Sequence, residues 1–471
     1  MRGDTLVFSS EIFIFIFLPF TLLFYYLFPN KFRNYILLLA SILFYAWGGL
    51  NYVFILLTSI LINYLFGIFI SKYKENTSIK KLILSIGIVL NLILLFYFKY
   101  YDFTINNLNL IFRTNIPLKE IVLPIGISFF TFQGMSYIID IYRGEATVNK
   151  NIFSVSLYIS LFPQLVAGPI VKYKDIDNQI RKRKETLKDF SYGIERFIIG
   201  LAKKVIIADV LASIVLSIIP NSNNIIDTPT AWLGIICYTL QIYFDFSGYS
   251  DMAIGLGYMF GFKFMENFKF PYTSKSITEF WRRWHISLST WFKEYLYIPL
   301  GGNRTGHTYL NLLIVFFVTG LWHGSSWNFI IWGLWHGFFI VIEKLIKNKN
   351  WYIKTPNIIK WCITMIIVII GWVFFTFDNL KNALDFLLIM FGIKHNNLVT
   401  FEIGYYMNLR VIVWIIFSIL LSTPLLTNIL KKYNSNNSFE IIKTVLLSIL
   451  LILSIIFIVN STYSPFIYFQ F

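Results

Sequence analysis

Uncharged apolar runs recur along nearly the whole chain, and short polar or basic stretches separate them. A helix needs about 20 predominantly apolar residues to cross a bilayer, and several of these runs are shorter. Non-helical backbone is tolerated at membrane depth only inside the protein, so the short runs are typical of re-entrant segments. The pattern predicts membrane segments at residues 12–28, 35–47, 52–70, 82–98, 121–141, 152–171, 194–219, 231–262, 310–322, 327–346, 358–377, 408–430 and 441–460.

The predicted fold class is therefore an all-α integral membrane protein, a polytopic helical bundle with about 10 to 13 membrane segments. Residues 12–28 follow almost no basic region and lack a small-residue cleavage site, which indicates a retained first span and not a removed signal peptide. No linker separates two cores, so we expect a single domain over residues 1–471.

Composition supports this class. The chain is 57% hydrophobic and 14% charged, against roughly a quarter charged in soluble domains. The formal net charge of +16 first suggests nucleic acid, but the basic residues lie in short loops between apolar runs and form no long face that could follow a phosphate backbone. We therefore expect no nucleic-acid partner. Cys237 and Cys362 lie inside apolar segments, which argues against a disulfide framework.

The basic loops predict the orientation, because cytoplasmic loops carry an excess of Lys and Arg. By this rule the loops at 71–81, 172–188, 344–354 and 431–443 are cytoplasmic, and the stretches at 220–230 and 461–471 are external. The loop at 172–188 is interpreted as a solvated topology signal. The alternative for it is contact with an anionic donor or an acidic lipid.

Residues 279–296 read as one amphipathic helix. At 100° per residue one face carries Trp281, Trp284, His285, Leu288, Phe292 and Tyr295, and the opposite face carries Glu279, Arg283, Thr290 and Glu294. Such a helix lies in a membrane interface or packs its apolar face on the bundle, so His285 is expected to point inward. Pro299 and the glycines after it break the chain before the next apolar run.

The pentapeptide Gly-Leu-Trp-His-Gly occurs twice, at 320–324 and 333–337, and the two copies have different C-terminal flanks. A polar stretch comes after His323 and is expected to break the helix near mid-bilayer, whereas an uninterrupted apolar helix comes after His336. We therefore predict that His323 is the reacting base and that His336 is a packed or supporting residue. The alternative for His323 is a buried structural histidine.

The other histidines have different predicted settings. His285 is either a satisfied interface histidine or a second polar group of the reaction chamber, and His307 and His395 are expected in loops.

Other chemistries have weaker support. The histidines show neither i, i+4 pairing nor a neighbouring carboxylate at ligand spacing, so we expect no metal site. Ser325 and Ser326 lack the strand-turn-helix setting of a nucleophile elbow. Asp245 and Asp251 are costly inside an apolar segment, and they are candidates for orienting a histidine or a hydroxyl. A structural role, such as bonding helix ends, is an equally good alternative for both.

At these residues the sequence closely resembles the membrane-bound O-acyltransferase family, and within it the alginate O-acetyltransferase branch. The resemblance is carried by LVFSSEIFIFIFLP at 6–19, FPQLVAGPIVKY at 162–173, QIYFDFSGYSDMAIGLGYMFGF at 241–262, NFKFPYTSKSITEFWRRWHISLSTWFKEYLYIPLGGNR at 267–304, GLWHGSSWNFIIWGLWHG at 320–337 and the terminal PFIYFQF. It implies a funnel-shaped helical bundle pierced by a tunnel, in which a cytoplasmic acyl thioester meets an acceptor from outside. It also implies that His323 is the catalytic histidine and His285 the second motif histidine.

The resemblance and the residue pattern together predict a membrane O-acetyltransferase with a catalytic segment at about 267–346. Acetyl-CoA or another acyl thioester is the expected donor substrate, with no bound cofactor. An extracytoplasmic partner protein is expected to pass the acetyl group to a surface glycan. The predicted substrate-lining residues are Trp322, Asn303, Arg304, Trp284, Asp245, Asp251 and His336.

Three alternatives stay open at this point. Relatives that transfer D-alanine towards teichoic acids share the WRRWH-like and WHG motifs, so these motifs do not decide which acyl group is moved. A polytopic transporter or flippase of glycan precursors also has many spans and broken helices, although the hydropathy shows no inverted repeat. The third alternative is a catalytically dead scaffold of a polysaccharide export complex.

Overall fold

The computed structural model describes residues 6–219, 226–304, 306–394, 399, 401–433, 437–460 and 466–467. Within these residues the regular elements are helices, and no strand occurs. The apolar runs form helices because a helix satisfies all backbone hydrogen bonds within the segment, as a membrane interior requires.

The α-helices of the first half, in chain order, are α1 (Leu18–Leu27), α2 (Asn30–Trp47), α3 (Leu50–Lys72), α4 (Thr77–Lys99), α5 (Tyr101–Phe112), α6 (Ile127–Arg143), α7 (Ile152–Ser160), α8 (Phe162–Leu165), α9 (Tyr173–Arg181), α10 (Leu187–Ala202), α11 (Asp209–Ile218) and α12 (Thr228–Met259). Wider π-helical turns at Phe13–Phe17 and Lys203–Ala208 precede α1 and α11.

The α-helices of the second half are α13 (Ile277–Arg283), α14 (Ile286–Phe292), α15 (Thr308–His323), α16 (Trp327–Ile346), α17 (Asn350–Lys354), α18 (Asn357–Thr376), α19 (Leu380–Met390), α20 (Ile403–Tyr406), α21 (Leu409–Leu421), α22 (Leu425–Tyr433) and α23 (Asn437–Asn460). A 3₁₀ turn at Pro271–Thr273 and a π turn at Lys293–Tyr297 flank α13 and α14.

Five of the described helices are long and apolar enough to cross a membrane, namely α3, α4, α16, α18 and α23. Shorter apolar helices occur at Phe13–Leu27 and as α15 and α21. The mixture of long and short apolar helices confirms the predicted all-α polytopic class.

The described chain contains two compact units. The first comprises residues 6–197 and 249–265. In it α3 packs against both α4 and α6, and the buried amides of Asn63 and Asn91 donate to each other's oxygens at 3.0 Å. These reciprocal bonds satisfy polar groups that are costly to leave unpaired away from water.

The second unit comprises the described residues of 198–248 and 266–471, and it contains every candidate site residue except Asp251. In it α15 and α16 pack against each other and are joined by residues 324–326, and α16 also contacts α13 and α18. The single domain predicted over residues 1–471 stays a prediction.

Three predicted segments are interrupted in the structure. The run at 152–171 forms only α7 and the short α8, because Pro163 lacks an N–H and Phe162 N bonds to Ser41 Oγ instead. The run at 408–430 divides into α21 and α22 around Pro424. The amphipathic segment 279–296 divides at His285. Residues 220–225 of the predicted external loop, and His395, lie outside the described residues.

Candidate active site

His323 is the last residue of α15. Gly324 and Ser326 are extended, and α16 begins at Trp327, so the predicted polar break comes directly after His323. The residue is only 2% exposed. The polar link therefore ends a helix inside the protein and leaves an imidazole at that end.

Close packing of α15 on α16 depends on the first glycine of each pentapeptide. An added Cβ at Gly320 would meet the carbonyl oxygen of Phe329, and one at Gly333 would meet the carbonyl oxygen of Phe316 and lie 3.0 Å from the backbone of Gly320. Neither neighbour is a flexible side chain that can move aside. The repeated motif is thus partly a packing device that lets two helix backbones approach each other.

His285 joins α13 to α14 with a left-handed backbone, φ 44° and ψ 55°. This conformation is uncommon for a residue other than glycine, and it persists only when the surroundings hold it. Asn267 does so: its backbone oxygen accepts from Ile286 N at 2.9 Å, and its Oδ1 lies 3.1 Å from His285 Nδ1. The predicted continuous helix is wrong at this point, although the predicted apolar face is buried.

The contacts of Asn267 determine the tautomer of His285. Asn267 Oδ1 also accepts from Ser287 N at 3.2 Å and from Ser287 Oγ at 2.9 Å, which identifies that atom as an oxygen. An oxygen cannot donate, so Nδ1 of His285 carries the proton in the neutral ring. Nε2 of His285 is then the basic nitrogen.

The histidine pair, defined as His285 and His323, is the centre of the candidate site. The two ring centroids are 6.4 Å apart, and the Trp322 ring lies 6.0 Å from that of His285 and 4.9 Å from that of His323. Aromatic rings complete the surroundings: Phe246 is 4.6 Å from His285, and Trp332 is 4.7 Å from His323. An imidazole at a helix junction and one at a helix end therefore share one aromatic environment.

His336 lies on another side of Trp332. Its ring is 5.3 Å from those of Trp332 and Trp281, and it stacks on Phe280 at 6.1 Å. The residue is fully buried, and both ring nitrogens lack a hydrogen-bond partner among the described residues. This setting matches a packed histidine better than a member of the pair.

Trp284 packs in the same aromatic layer. Its ring is 4.9 Å from that of Trp372 and 5.0 Å from that of Phe268, and it stacks on Phe280 at 5.6 Å. These contacts place Trp284 in the core beside α18. Its predicted role as a substrate-lining residue stays a prediction.

The two aspartates have ionic partners. Inside the first unit, Asp251 pairs with Arg196 Nη2 at 2.6 Å, and this ion pair joins α10 to α12. Asp245 pairs with Lys204 Nζ at 2.7 Å, and it also accepts a hydrogen bond from Ile467 N at 2.9 Å. The structural alternative is therefore favoured for Asp251, whereas Asp245 lies one residue from Phe246 of the site.

Asn303 and Arg304 lie on an exposed turn. Gly301 and Gly302 have positive φ, at 98° and 54°, and Asn311 Nδ2 binds the backbone oxygen of Gly302 at 3.1 Å. Asn303 Oδ1 accepts from Tyr297 Oη at 2.8 Å and from Lys344 Nζ at 2.6 Å. Hydrogen bonds from neighbouring residues thus hold the turn in place. The Arg304 side chain is exposed on it.

A model of the membrane-bound O-acyltransferase family matches residues 143–384, more than half of the chain. The match includes both members of the histidine pair. The chain belongs to the membrane-bound O-acyltransferase family. It is therefore an O-acyltransferase and a multi-pass protein of the bacterial-type cytoplasmic membrane.

Individual relatives agree with this membership. The chain is 41% identical to the Pseudomonas putida protein named "Probable alginate O-acetylase AlgI", over 99% of this chain and 100% of that protein. It is 35% identical to a peptidoglycan O-acetyltransferase of Helicobacter pylori, over 100% of this chain and 98% of that protein. Its identity to a teichoic acid D-alanyltransferase of Bacillus subtilis is 29%, over 54% of this chain and 67% of that protein.

Sequence reasoning misses two residues of this O-acyltransferase that contact the site or its neighbours. Asn267 is missed because a single Asn at the start of the loop sequence NFKFP belongs to no periodic pattern of apolar residues. Lys204 is missed because it lies inside an apolar run, although an ionisable residue in a membrane segment is a functional candidate by default. That rule draws attention to Lys204 as it does to Asp245.

Proposed function

We propose that this O-acyltransferase moves an acetyl group from a cytoplasmic thioester donor to a hydroxyl, leading to O-acetylation of an exported or cell-surface polysaccharide. The observation that carries the proposal is the buried histidine pair with Trp322 beside both rings. The names of the two full-length relatives, an alginate O-acetylase and a peptidoglycan O-acetyltransferase, support acetyl as the acyl group and a glycan as the final acceptor.

In the proposed step His323 acts as general base. It takes the proton of the acceptor hydroxyl while the hydroxyl oxygen attacks the thioester carbonyl. The C–O bond forms, the C–S bond breaks, and the imidazolium gives its proton to the departing thiolate, so that a neutral histidine and a free thiol result. Positioned general-base catalysis of this kind is typically worth about 10² to 10⁴ in rate.

His285 has a different proposed role. Because Asn267 holds the proton on Nδ1, the basic Nε2 accepts a hydrogen bond from a hydroxyl or thiol in the chamber and orients that reactant. Trp322, which touches both rings, forms a wall that excludes water from the thioester.

The proposed donor is acetyl-CoA or another acetyl thioester, which enters beside residues 276–304. Arg304 is exposed on the turn built by Gly301 and Gly302, and a guanidinium suits the phosphates of such a donor. On the other side, an extracytoplasmic partner protein is proposed to receive the acetyl group and deliver it to the glycan.

The test uses cells that lack the native protein and are complemented with wild type, His323→Ala or His285→Ala at matched membrane levels. Acetyl and D-alanyl esters of the surface glycan are released by mild alkali and quantified separately. We expect wild type to restore acetyl ester, His323→Ala to restore about 1% of it or less, and His285→Ala to restore an intermediate amount.

Each of the other outcomes has a distinct meaning. Full restoration by His323→Ala makes that histidine structural and overturns the mechanism. Restoration of D-alanyl ester by wild type, without acetyl ester, replaces the acetyl group with the one moved by the more distant relatives.

A further inference from the structure

A buried ion cluster lies next to the histidine pair and takes no part in the proposed chemistry. It consists of Lys204, Asp209 and Asp245. Lys204 Nζ is 2.8 Å from Asp209 Oδ1 and 2.7 Å from Asp245 Oδ1, and the Lys204 and Asp245 side chains are only 4% and 1% exposed. Charges taken this far from water are costly even when they are paired, and hydrophobic residues often replace them without loss of stability.

The local backbone is shaped to form this cluster. Lys204 lies in the π-helical turn Lys203–Ala208, and single π turns of this kind are frequent at functional sites. On α12, an added Cβ at Gly248 would be 2.8 Å from the carbonyl oxygen of Gly200 and 3.1 Å from Lys204 N. Glycine at 248 therefore lets α12 approach closely enough for Asp245 to reach Lys204.

Asp245 has a second partner outside the ion cluster. Its Oδ2 accepts the backbone N–H of Ile467 at 2.9 Å, across 222 residues of sequence. The adjacent Phe466 then lies 6.2 Å from the ring of Phe246, with Lys204 Nζ 6.0 Å from the Phe466 ring. Phe246 in turn packs edge-on against His285 at 4.6 Å. A continuous chain of contacts thus runs from the carboxylate to the imidazole.

We propose that Asp245 is a positioning residue for acyl transfer: it holds residues 466–467 against Phe246, and this contact keeps His285 oriented in the chamber. The inference rests on the proposed function only where it predicts a change in kcat. The anchoring of residues 466–467 can be measured without any turnover.

The matched variants are Asp245→Leu and Asp209→Leu. Each removes one carboxylate from the same lysine and leaves the other in place, but only Asp245→Leu removes the acceptor of the Ile467 N–H. The full-length protein, purified in lipid nanodiscs, is compared by amide hydrogen exchange over residues 466–467 and by steady-state kinetics with an acetyl thioester.

For Asp245→Leu we expect amide exchange at residue 467 to be at least about tenfold faster. We also expect kcat to fall about tenfold to a hundredfold, with the donor KM within about threefold, because a small displacement of a positioned group costs rate and not donor binding. For Asp209→Leu we expect wild-type exchange at residue 467 and a kcat within about threefold of wild type.

A second pair covers the case in which Asp245→Leu does not fold. Ile467→Pro removes the N–H but leaves the ion cluster intact, and Ile467→Ala keeps the N–H. A lower kcat in the proline variant but not in the alanine variant supports the proposal. Equal kcat in both variants overturns it.

Two results with Asp245→Leu overturn the proposal directly. Unchanged exchange at residue 467 means that the carboxylate is no anchor, and faster exchange with full kcat means that the anchored segment positions nothing. If the wild-type protein transfers no acetyl group, the proposed function is wrong and the positioning role falls with it, whereas the exchange result still decides about the anchor.

Discussion

The two copies of Gly-Leu-Trp-His-Gly have the same five residues and place their histidines in different environments. Both histidines are buried, so burial does not separate them. His323 ends α15, with its ring 6.4 Å from that of His285, whereas His336 lies in the middle of α16 between Trp281 and Trp332. The C-terminal flank of each copy makes the difference, because a polar link ends the first helix and an apolar run continues the second.

The most direct test of this difference is to make the same change in both copies. We predict that His323→Gln lowers kcat by about 10² to 10⁴, since an amide cannot act as a general base. We predict that His336→Gln lowers it by less than about tenfold, since the residue acts through packing. The measurement is the steady-state kcat of acetyl transfer by purified protein, corrected for the folded fraction.

Equal losses in the two variants would show that the pentapeptide acts as a unit and that the flanking residues do not decide the role. A larger loss for His336→Gln would move the base to the second copy. Both variants keep a hydrogen-bonding side chain, so a difference between them reports the imidazole and not the loss of volume.

The end of α15 at His323 was predictable because Gly-Ser-Ser is a local signal, and the buried face of residues 279–296 was predictable because it is periodic. The left-handed His285 was not, since one residue with positive φ leaves the apolar periodicity unchanged while dividing the helix. Its partner Asn267 and the pairing of Lys204 with Asp245 arise from tertiary contacts 18 and more residues apart. Sequence patterns report neighbours on one element and say little about which elements meet.

The contact between Asn267 and His285 gives the next prediction. Asn267→Leu removes the acceptor that holds the proton on Nδ1, so Nε2 is no longer kept basic and the strained backbone loses its support. We expect kcat to fall about tenfold to a hundredfold. Asn267→Asp keeps an oxygen at the same place and should retain a higher kcat, as measured by the same steady-state assay.

Rescue by Asn267→Asp is the result that a purely structural role would not require. If both variants lose the same activity in proportion to their loss of folded protein, Asn267 only supports the fold. The histidine pair would then depend on the helix end at His323 and not on the tautomer of His285.

The smallest expected effect on chemistry concerns the first glycine of the second copy. Gly333→Ala places a methyl group against the carbonyl oxygen of Phe316 and the backbone of Gly320, so α15 and α16 must separate. Overpacking of this kind typically costs about 1 to 3 kcal/mol, and we expect a lower thermal midpoint in detergent with kcat per folded molecule within about threefold.

Gly404→Ala is the control, because an added Cβ there has nothing within 4 Å. Equal midpoints in the two variants would mean that the second pentapeptide does not serve packing. A loss of kcat without a loss of stability would mean that the spacing of the two helices sets the position of His323.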